Sequence, residues 1–165
     1  QGVVLAGLLL GTAAALHGGK HAVQTQTYGA AARGGAARSD VIIADEPIVY
    51  PQVISPDIMS AFTTVALEKY RNELREGATL VIDERLVTRP EGTTFDIHAI
   101  PATEIAMNEF GRGIVANMVM LGFLCGVTGV VGRDALREAI TTGVPNGTEQ
   151  LNLDAFDAGF SRAAE

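Results

Sequence analysis

The sequence has 165 residues, the size of one domain with room for a substantial hydrophobic core. Its formal net charge of −7 argues against nucleic acid as the main partner, because phosphate binding needs a basic face. Hydrophobic residues make up 47% of the chain and charged residues only 19%, so we expect a partner to cover part of its apolar surface.

Hydrophobic periodicity predicts helices and strands that alternate along the chain. The apolar first helix begins abruptly, so we expect an opening strand and glycine turn to precede it in the full-length protein. Strands without polar alternation are typical of strands buried on both faces. The pattern predicts a single-domain α/β fold, a three-layer α/β/α sandwich with a mainly parallel sheet. In chain order, we predict a helix over Val3–Leu16, strands over His21–Thr27, Asp40–Ala44 and Asp57–Phe62, a helix over Ala66–Leu74, a strand over Ala78–Asp83, an edge strand over Thr94–Ile100, and helices over Pro101–Phe110, from Ile114, over Val130–Ile140 and over Asn152–Ala164.

Two segments without Asp, Glu, Lys or Arg, 2–19 and 114–131, could be mistaken for membrane spans. Both are at the short limit for crossing a bilayer, so we interpret them as buried or interface helices and expect no membrane span. The spacing of Gly122 and Gly126 predicts close helix packing. The single cysteine, Cys125, is expected to be buried, and the lack of a disulfide pattern predicts a reducing, cytoplasmic location.

A polar, glycine-rich segment over residues 24–39 separates two predicted strands. Loops at strand ends are where α/β folds tend to place their binding residues. Glycines in such a loop allow a ligand or a partner to approach the backbone closely. The candidate binding residues of this segment are the glycines Gly29, Gly34 and Gly35, the aromatic Tyr28, and the cations Arg33 and Arg38.

The remaining residue types do not assemble a complete active site. The sequence contains no nucleophile with an adjacent base and no distinct pair of catalytic carboxylates. The three histidines, His17, His21 and His98, are scattered, so no metal site is expected. A single cysteine cannot hold an iron–sulfur cluster, which needs several thiolates.

Several segments together resemble one family, the gamma subunits (gamma domains) of 2-oxoacid:ferredoxin oxidoreductases. The most specific is Gln24-Thr-Gln-Thr-Tyr-Gly-x-x-x-Arg-Gly-Gly, which is similar to the form used by the 2-oxoglutarate branch. The other similar segments are Gln1-Gly2 before the apolar helix, which resembles the end of the family's glycine turn, Ser39–Ile43 with Asp45-Glu46-Pro47, Ala102–Ala106, Val115–Val119 with Gly122, and Asn152–Gly159.

This resemblance implies one subunit of an enzyme that oxidatively decarboxylates a 2-oxoacid, most similar to the 2-oxoglutarate type, with coenzyme A (CoA) as a substrate. Thiamine diphosphate, Mg²⁺ and iron–sulfur clusters then belong to alpha, beta and sometimes delta subunits, and ferredoxin receives the electrons. The chain alone is expected to be inactive and to contain no catalytic or metal-binding residue. The family implies that it closes the CoA side of the active site, with Gln1, Gly2, Tyr28, Gly29, Arg33, Gly34, Gly35 and Arg38 as the contacting residues.

Three alternatives are open at this point. In the first, the chain is a gamma subunit of an oxidoreductase for pyruvate, a branched-chain oxoacid or indolepyruvate. In the second, it is a stand-alone nucleotide-binding α/β domain. In the third, it is a scaffold without a ligand. In the scaffold alternative, Arg33 and Arg38 pair with carboxylates of a partner subunit, and the glycines only shape the turn.

Overall fold

A computed structural model of the chain describes residues 2–27 and 37–164. Within these ranges it contains helix α1 (Val3–Thr12), continued as a π-helical turn over Ala13–His17, then strands β1 (His21–Thr27), β2 (Arg38–Ala44) and β3 (Ile58–Ala61), and helix α2 (Thr64–Tyr70), continued as a 3₁₀ turn over Arg71–Glu73. Strands β4 (Thr79–Asp83) and β5 (Asp96–Ile100) follow, then helix α3 (Ala102–Phe110), a 3₁₀ turn over Gly113–Val115, and helices α4 (Ala116–Thr128), α5 (Arg133–Gly143) and α6 (Glu149–Arg162).

The strands form two groups. Among the described residues, strands β3, β4 and β5 lie side by side in that order as a parallel sheet, with β5 at one edge, as predicted. Strands β1 and β2 form an antiparallel pair in which Thr27 lies opposite Arg38. The predicted α/β class with a parallel sheet is confirmed, and the antiparallel pair is a feature that the apolar pattern alone did not reveal.

Helices cover both faces of the parallel sheet. On one face, Leu80 and Ile82 of β4 pack with Leu67 of α2. On the other face, Val81 joins a larger core built with α1, α4, α5 and α6. Because successive side chains of a strand point to opposite faces, β4 is buried on both sides, which explains its unbroken apolar sequence.

Helices α4 and α6 pack closely through three glycines. A Cβ atom at Gly122 would lie 2.9 Å from the backbone nitrogen of Phe160, and one at Gly159 would lie 3.0 Å from that of Phe123. A Cβ at Gly126 would lie 3.0 Å from the carbonyl oxygen of Phe160. The predicted close packing at Gly122 and Gly126 is therefore confirmed.

Cys125 lies in the same helix and is buried, as predicted. Burial raises the pKa of its thiol to about 12, so the reactive thiolate is scarce at neutral pH. Among the described residues, none of the helices has the length and apolar content needed to cross a membrane.

Helix boundaries differ from the predicted ones where a cap decides them. Helix α5 begins at Arg133 rather than Val130, because the backbone of Gly132 is extended. Helix α6 begins at Glu149 rather than Asn152. The Asn152 side chain lies in the first turn of this helix and donates a hydrogen bond of 2.8 Å to the carbonyl of Thr148. Other differences are of one to a few residues at element ends.

Candidate functional site

The base of the β1–β2 hairpin lies directly on helix α1. The Gln24 amide nitrogen donates to the Ser39 hydroxyl at 2.9 Å and to the Val4 carbonyl at 3.2 Å. Gly7 makes this approach possible, since a Cβ there would lie 3.0 Å from the Ser39 Cβ. Further along both elements, Gly11 faces Val41. Helix α1 therefore runs in the same direction as β2, and its N-terminus lies at the end of the hairpin where residues 27 and 38 meet.

Gly2 is fixed at that N-terminus by a residue far away in the sequence. Its φ of 71° is in the left-handed region, and its carbonyl accepts a hydrogen bond of 3.2 Å from the Asn117 side chain. Asn117 is buried, and its oxygen accepts from the Met118 backbone at 2.9 Å. The first-turn N–H groups of α1 point toward this end of the domain, as in any α-helix, and among the described residues no side chain caps them.

Arg38 opens strand β2 and is held by groups of its own chain. Its Nε donates to both carboxylate oxygens of Asp40, at 2.7 and 2.8 Å, and Nη1 donates to Glu73. The guanidinium also lies 4.9 Å from the ring centroid of Tyr70. Burial alone would lower the pKa of Arg38, but its hydrogen bonds to Asp40 and Glu73 outweigh burial and raise that pKa above its ordinary value. Arg38 is thus a permanent cation that two carboxylates already neutralise.

Of the eight predicted site residues, the structure describes Gly2 and Arg38, and it places both at the same end of the domain. Val3, beside Gly2, and Arg38 border the same cavity. The other six, Gln1, Tyr28, Gly29, Arg33, Gly34 and Gly35, lie outside the described residues. Their assignment as ligand contacts stays a prediction.

Residues that organise this end of the domain were not assigned a role from the sequence. Asn117 orients Gly2, Gln24 joins the hairpin to α1, and Asp40 and Glu73 hold Arg38. A signal existed for Asn117, because an amide inside an apolar helix must find a hydrogen-bond partner when it is buried. Period-two alternation also places residues 38 and 40 on one face of β2, whereas Glu73 has no local signal.

The His, Cys, Asp and Glu side chains of the described residues are not arranged as a metal or cluster site. The described ranges contain no group of three or more His, Cys, Asp or Glu side chains arranged to hold a metal ion. The one cysteine of the sequence is buried in α4. His98 instead pairs with the exposed Asp96 at 2.9 Å.

Comparison with known proteins assigns the chain to a family. A family model described as pyruvate ferredoxin/flavodoxin oxidoreductase matches residues 1–162. The chain belongs to this family. The resemblance inferred from the sequence motifs is confirmed.

Two relatives in this family are similar over nearly the whole chain. The 2-oxoglutarate synthase subunit KorC of Methanocaldococcus jannaschii is 47% identical, over 100% of this chain and 89% of that protein. The same subunit of Methanothermobacter marburgensis is 49% identical, over 96% of this chain and 89% of that protein. A solved structure, the gamma subunit of a keto/oxoacid ferredoxin oxidoreductase from Geobacter sulfurreducens, matches with a TM-score of 0.87 and 40% identity, over 99% of this chain and 92% of that one.

Proposed function

We propose that the chain is the gamma subunit of a 2-oxoglutarate:ferredoxin oxidoreductase. The observation that carries this proposal is the identity of nearly half of all residues, over nearly the full chain, to the 2-oxoglutarate synthase subunits described above. In the reaction, 2-oxoglutarate, CoA and two oxidised ferredoxins give succinyl-CoA, CO₂, two reduced ferredoxins and a proton. The carboxylate carbon leaves as CO₂, and the electron pair of the broken C–C bond passes to ferredoxin.

In this proposal, the oxidative chemistry belongs to partner subunits. An iron–sulfur cluster needs several thiolates, whereas the sequence has one cysteine and it is buried, and the described residues contain no group of three or more metal-ligating side chains. The contribution of this chain is to contact its partner subunits and to help enclose CoA. Its low content of charged residues supports such a contact role.

The CoA contact is assigned to the end of the domain where α1 begins and the β1–β2 hairpin turns. First-turn N–H groups of a helix and arginine side chains both suit phosphate and carboxylate oxygens. Because Asp40 and Glu73 already neutralise Arg38, we assign to Arg38 the positioning of the hairpin end and to Arg33 the contact with CoA. Gly2, held by Asn117, then presents the start of α1 to the same ligand.

The substrate assignment is tested with the assembled enzyme purified from its native cells through a tag on this chain. We expect dye or ferredoxin reduction that requires CoA, with kcat/KM for 2-oxoglutarate at least about tenfold above that for pyruvate or 2-oxoisovalerate. The chain purified alone is expected to show no turnover. Turnover by the isolated chain, or a preference for another oxoacid, would overturn the proposal.

The CoA contact is tested by Arg33→Ala in the assembled enzyme. A hydrogen bond to a charged group contributes about 1.5–3 kcal/mol, so we expect the KM for CoA to rise roughly 10- to 100-fold while the KM for 2-oxoglutarate changes little. The matched control is Arg89→Ala, because Arg89 lies beside β5 at the opposite edge of the sheet. An unchanged KM for CoA with impaired assembly would favour the scaffold alternative instead.

A further inference from the structure

Helices α5 and α6 are joined by a tight turn whose central residues are Asn146 and Gly147. The Thr148 backbone donates a hydrogen bond of 3.1 Å to the carbonyl of Pro145, which closes the turn. Gly147 has a φ of 85°, whereas no described residue other than glycine has a positive φ. A hydrogen-bonded turn with a positive φ only at its third residue is a type II turn.

This Asn-Gly pair carries the groups that deamidation needs, and both residues are exposed. In deamidation, the backbone nitrogen of Gly147 loses its proton and attacks Cγ of Asn146. The bond from Cγ to the side-chain nitrogen then breaks, and ammonia leaves with that proton. Water opens the resulting cyclic imide at either carbonyl and gives aspartate or isoaspartate. Glycine favours the attack because it has no side chain to block the approach of its nitrogen.

The folded turn keeps the attacking nitrogen away from its target. The second residue of a type II turn has a ψ of about +120°, which directs the Gly147 nitrogen away from the Asn146 side chain. The N–H of Gly147 also donates a hydrogen bond of 2.7 Å to the Glu149 carboxylate. Ring closure requires this peptide unit to rotate, so the hydrogen bond to Glu149 has to break first.

From this geometry we propose that Asn146–Gly147 is a deamidation site and that the Glu149 carboxylate controls its rate. Glu149 is the first residue of α6 and is half-buried, so the helix holds its side chain beside the turn. A hydrogen bond to a charged acceptor slows a reaction that must break it roughly 10- to 100-fold. The carboxylate also disfavours the deprotonated nitrogen that attacks, because like charges repel.

The modification changes the start of a core helix. Both products add a negative charge near the N-terminus of α6, where the helix dipole favours it. Isoaspartate also inserts one extra carbon atom into the backbone between α5 and α6. The two products therefore differ in the length of the chain that connects these helices.

Peptide mapping by mass spectrometry tests the proposal on the assembled enzyme, purified through a tag on this chain and incubated at neutral pH. We expect residue 146 to convert roughly 10- to 100-fold faster in Glu149→Ala than in the parent. Glu149→Gln keeps an uncharged acceptor, so its rate is expected to lie between these two. The matched control is Asp154→Ala, expected to convert at the parent rate, because Asp154 is an exposed carboxylate of the same helix that contacts Gln150 instead of the turn.

Incubation of the parent in urea gives the rate of the unfolded chain, which is expected to exceed that of the folded enzyme. Asn108 is an internal control, because it is exposed but lies inside α3 and precedes Glu109, and it is expected to stay unmodified.

Three results would overturn the proposal. Without conversion of residue 146 in urea, the pair is not a deamidation site. If the folded parent converts as fast as the unfolded chain, the turn does not restrain the attack. If Glu149→Ala converts no faster than Asp154→Ala, Glu149 does not control the rate. None of these results bears on the oxoacid that the assembled enzyme uses, so the proposed function is tested separately.

Discussion

Replacing Gly122 by alanine is expected to destabilise the domain by about 3 kcal/mol. A Cβ at this position would overlap the carbonyl oxygen of Phe156 and lie 2.9 Å from the backbone nitrogen of Phe160. Both are backbone atoms of α6, so no side-chain rotation relieves the overlap and the two helices must separate. The loss is measured as the difference in unfolding free energy between the full-length protein and its variant in urea.

Gly11→Ala is the matched control, because Gly11 also lies inside an apolar helix. A Cβ there meets only a methyl group of Val41 at 3.7 Å, an ordinary contact. Alanine has the higher helix propensity, so we expect this variant to be about 0.5–1 kcal/mol more stable than the parent. Opposite signs at the two positions would identify the α4–α6 contact as the cause. Similar losses at both would mean that the general intolerance of these helices to substitution is responsible.

Local sequence predicted most elements of the fold because their signals are short-range. The strand over His21–Thr27 has the predicted boundaries, and Ala78–Asp83 contains β4 with one extra residue. Ala78–Asp83 is an apolar run, and His21–Thr27 carries β-branched residues at every second position from Val23, so pairing with neighbours only reinforces a local preference. The helix beginning after Pro101 was equally clear from its start signals.

Long-range pairing could not be predicted in the same way. The antiparallel pairing of β1 with β2 depends on the backbone register between them, which the apolar pattern of either strand does not specify. The hydrogen bond from Asn117 to Gly2 joins residues 115 positions apart. Contacts of this kind leave at most a hint in the sequence, such as one amide in an apolar helix.

The candidate site likewise combines residues that local sequence motifs indicate with contacts that only the folded chain reveals. Motif residues identified the segment over residues 24–39 as important, but the partners that restrict Arg38 come from two sources. Asp40 is two residues away on the same strand face, whereas Glu73 is 35 positions away at the end of α2. Only the folded chain shows that Arg38 is neutralised, and this fact leaves Arg33 as the arginine that we propose to contact CoA.

A second large loss of stability is expected for Asp83→Ala. Asp83 ends β4 and is fully buried, yet its carboxylate accepts three hydrogen bonds. One oxygen accepts from the Arg85 backbone at 3.0 Å, and the other accepts from the Thr103 backbone at 2.9 Å and from its hydroxyl at 2.7 Å. Pro101, at the N-cap of α3, provides no side-chain cap, so Asp83 supplies from the neighbouring strand the acceptor and the negative charge that this helix start needs.

Alanine at this position removes the buried acceptor of three partly buried hydrogen bonds, so we expect a loss of about 3 kcal/mol in unfolding free energy. Asp83→Asn keeps one acceptor oxygen and the shape, and is expected to lose about half as much. The control is Asp96→Ala, which removes a largely exposed carboxylate paired with His98 and is expected to change stability by less than about 1 kcal/mol. A loss at Asp83 no larger than at Asp96 would show that α3 does not depend on this carboxylate. If the loss of unfolding free energy is instead largest for Asp83→Ala, about half as large for Asp83→Asn and smallest for Asp96→Ala, the β4–α3 junction depends on the buried side chain of Asp83.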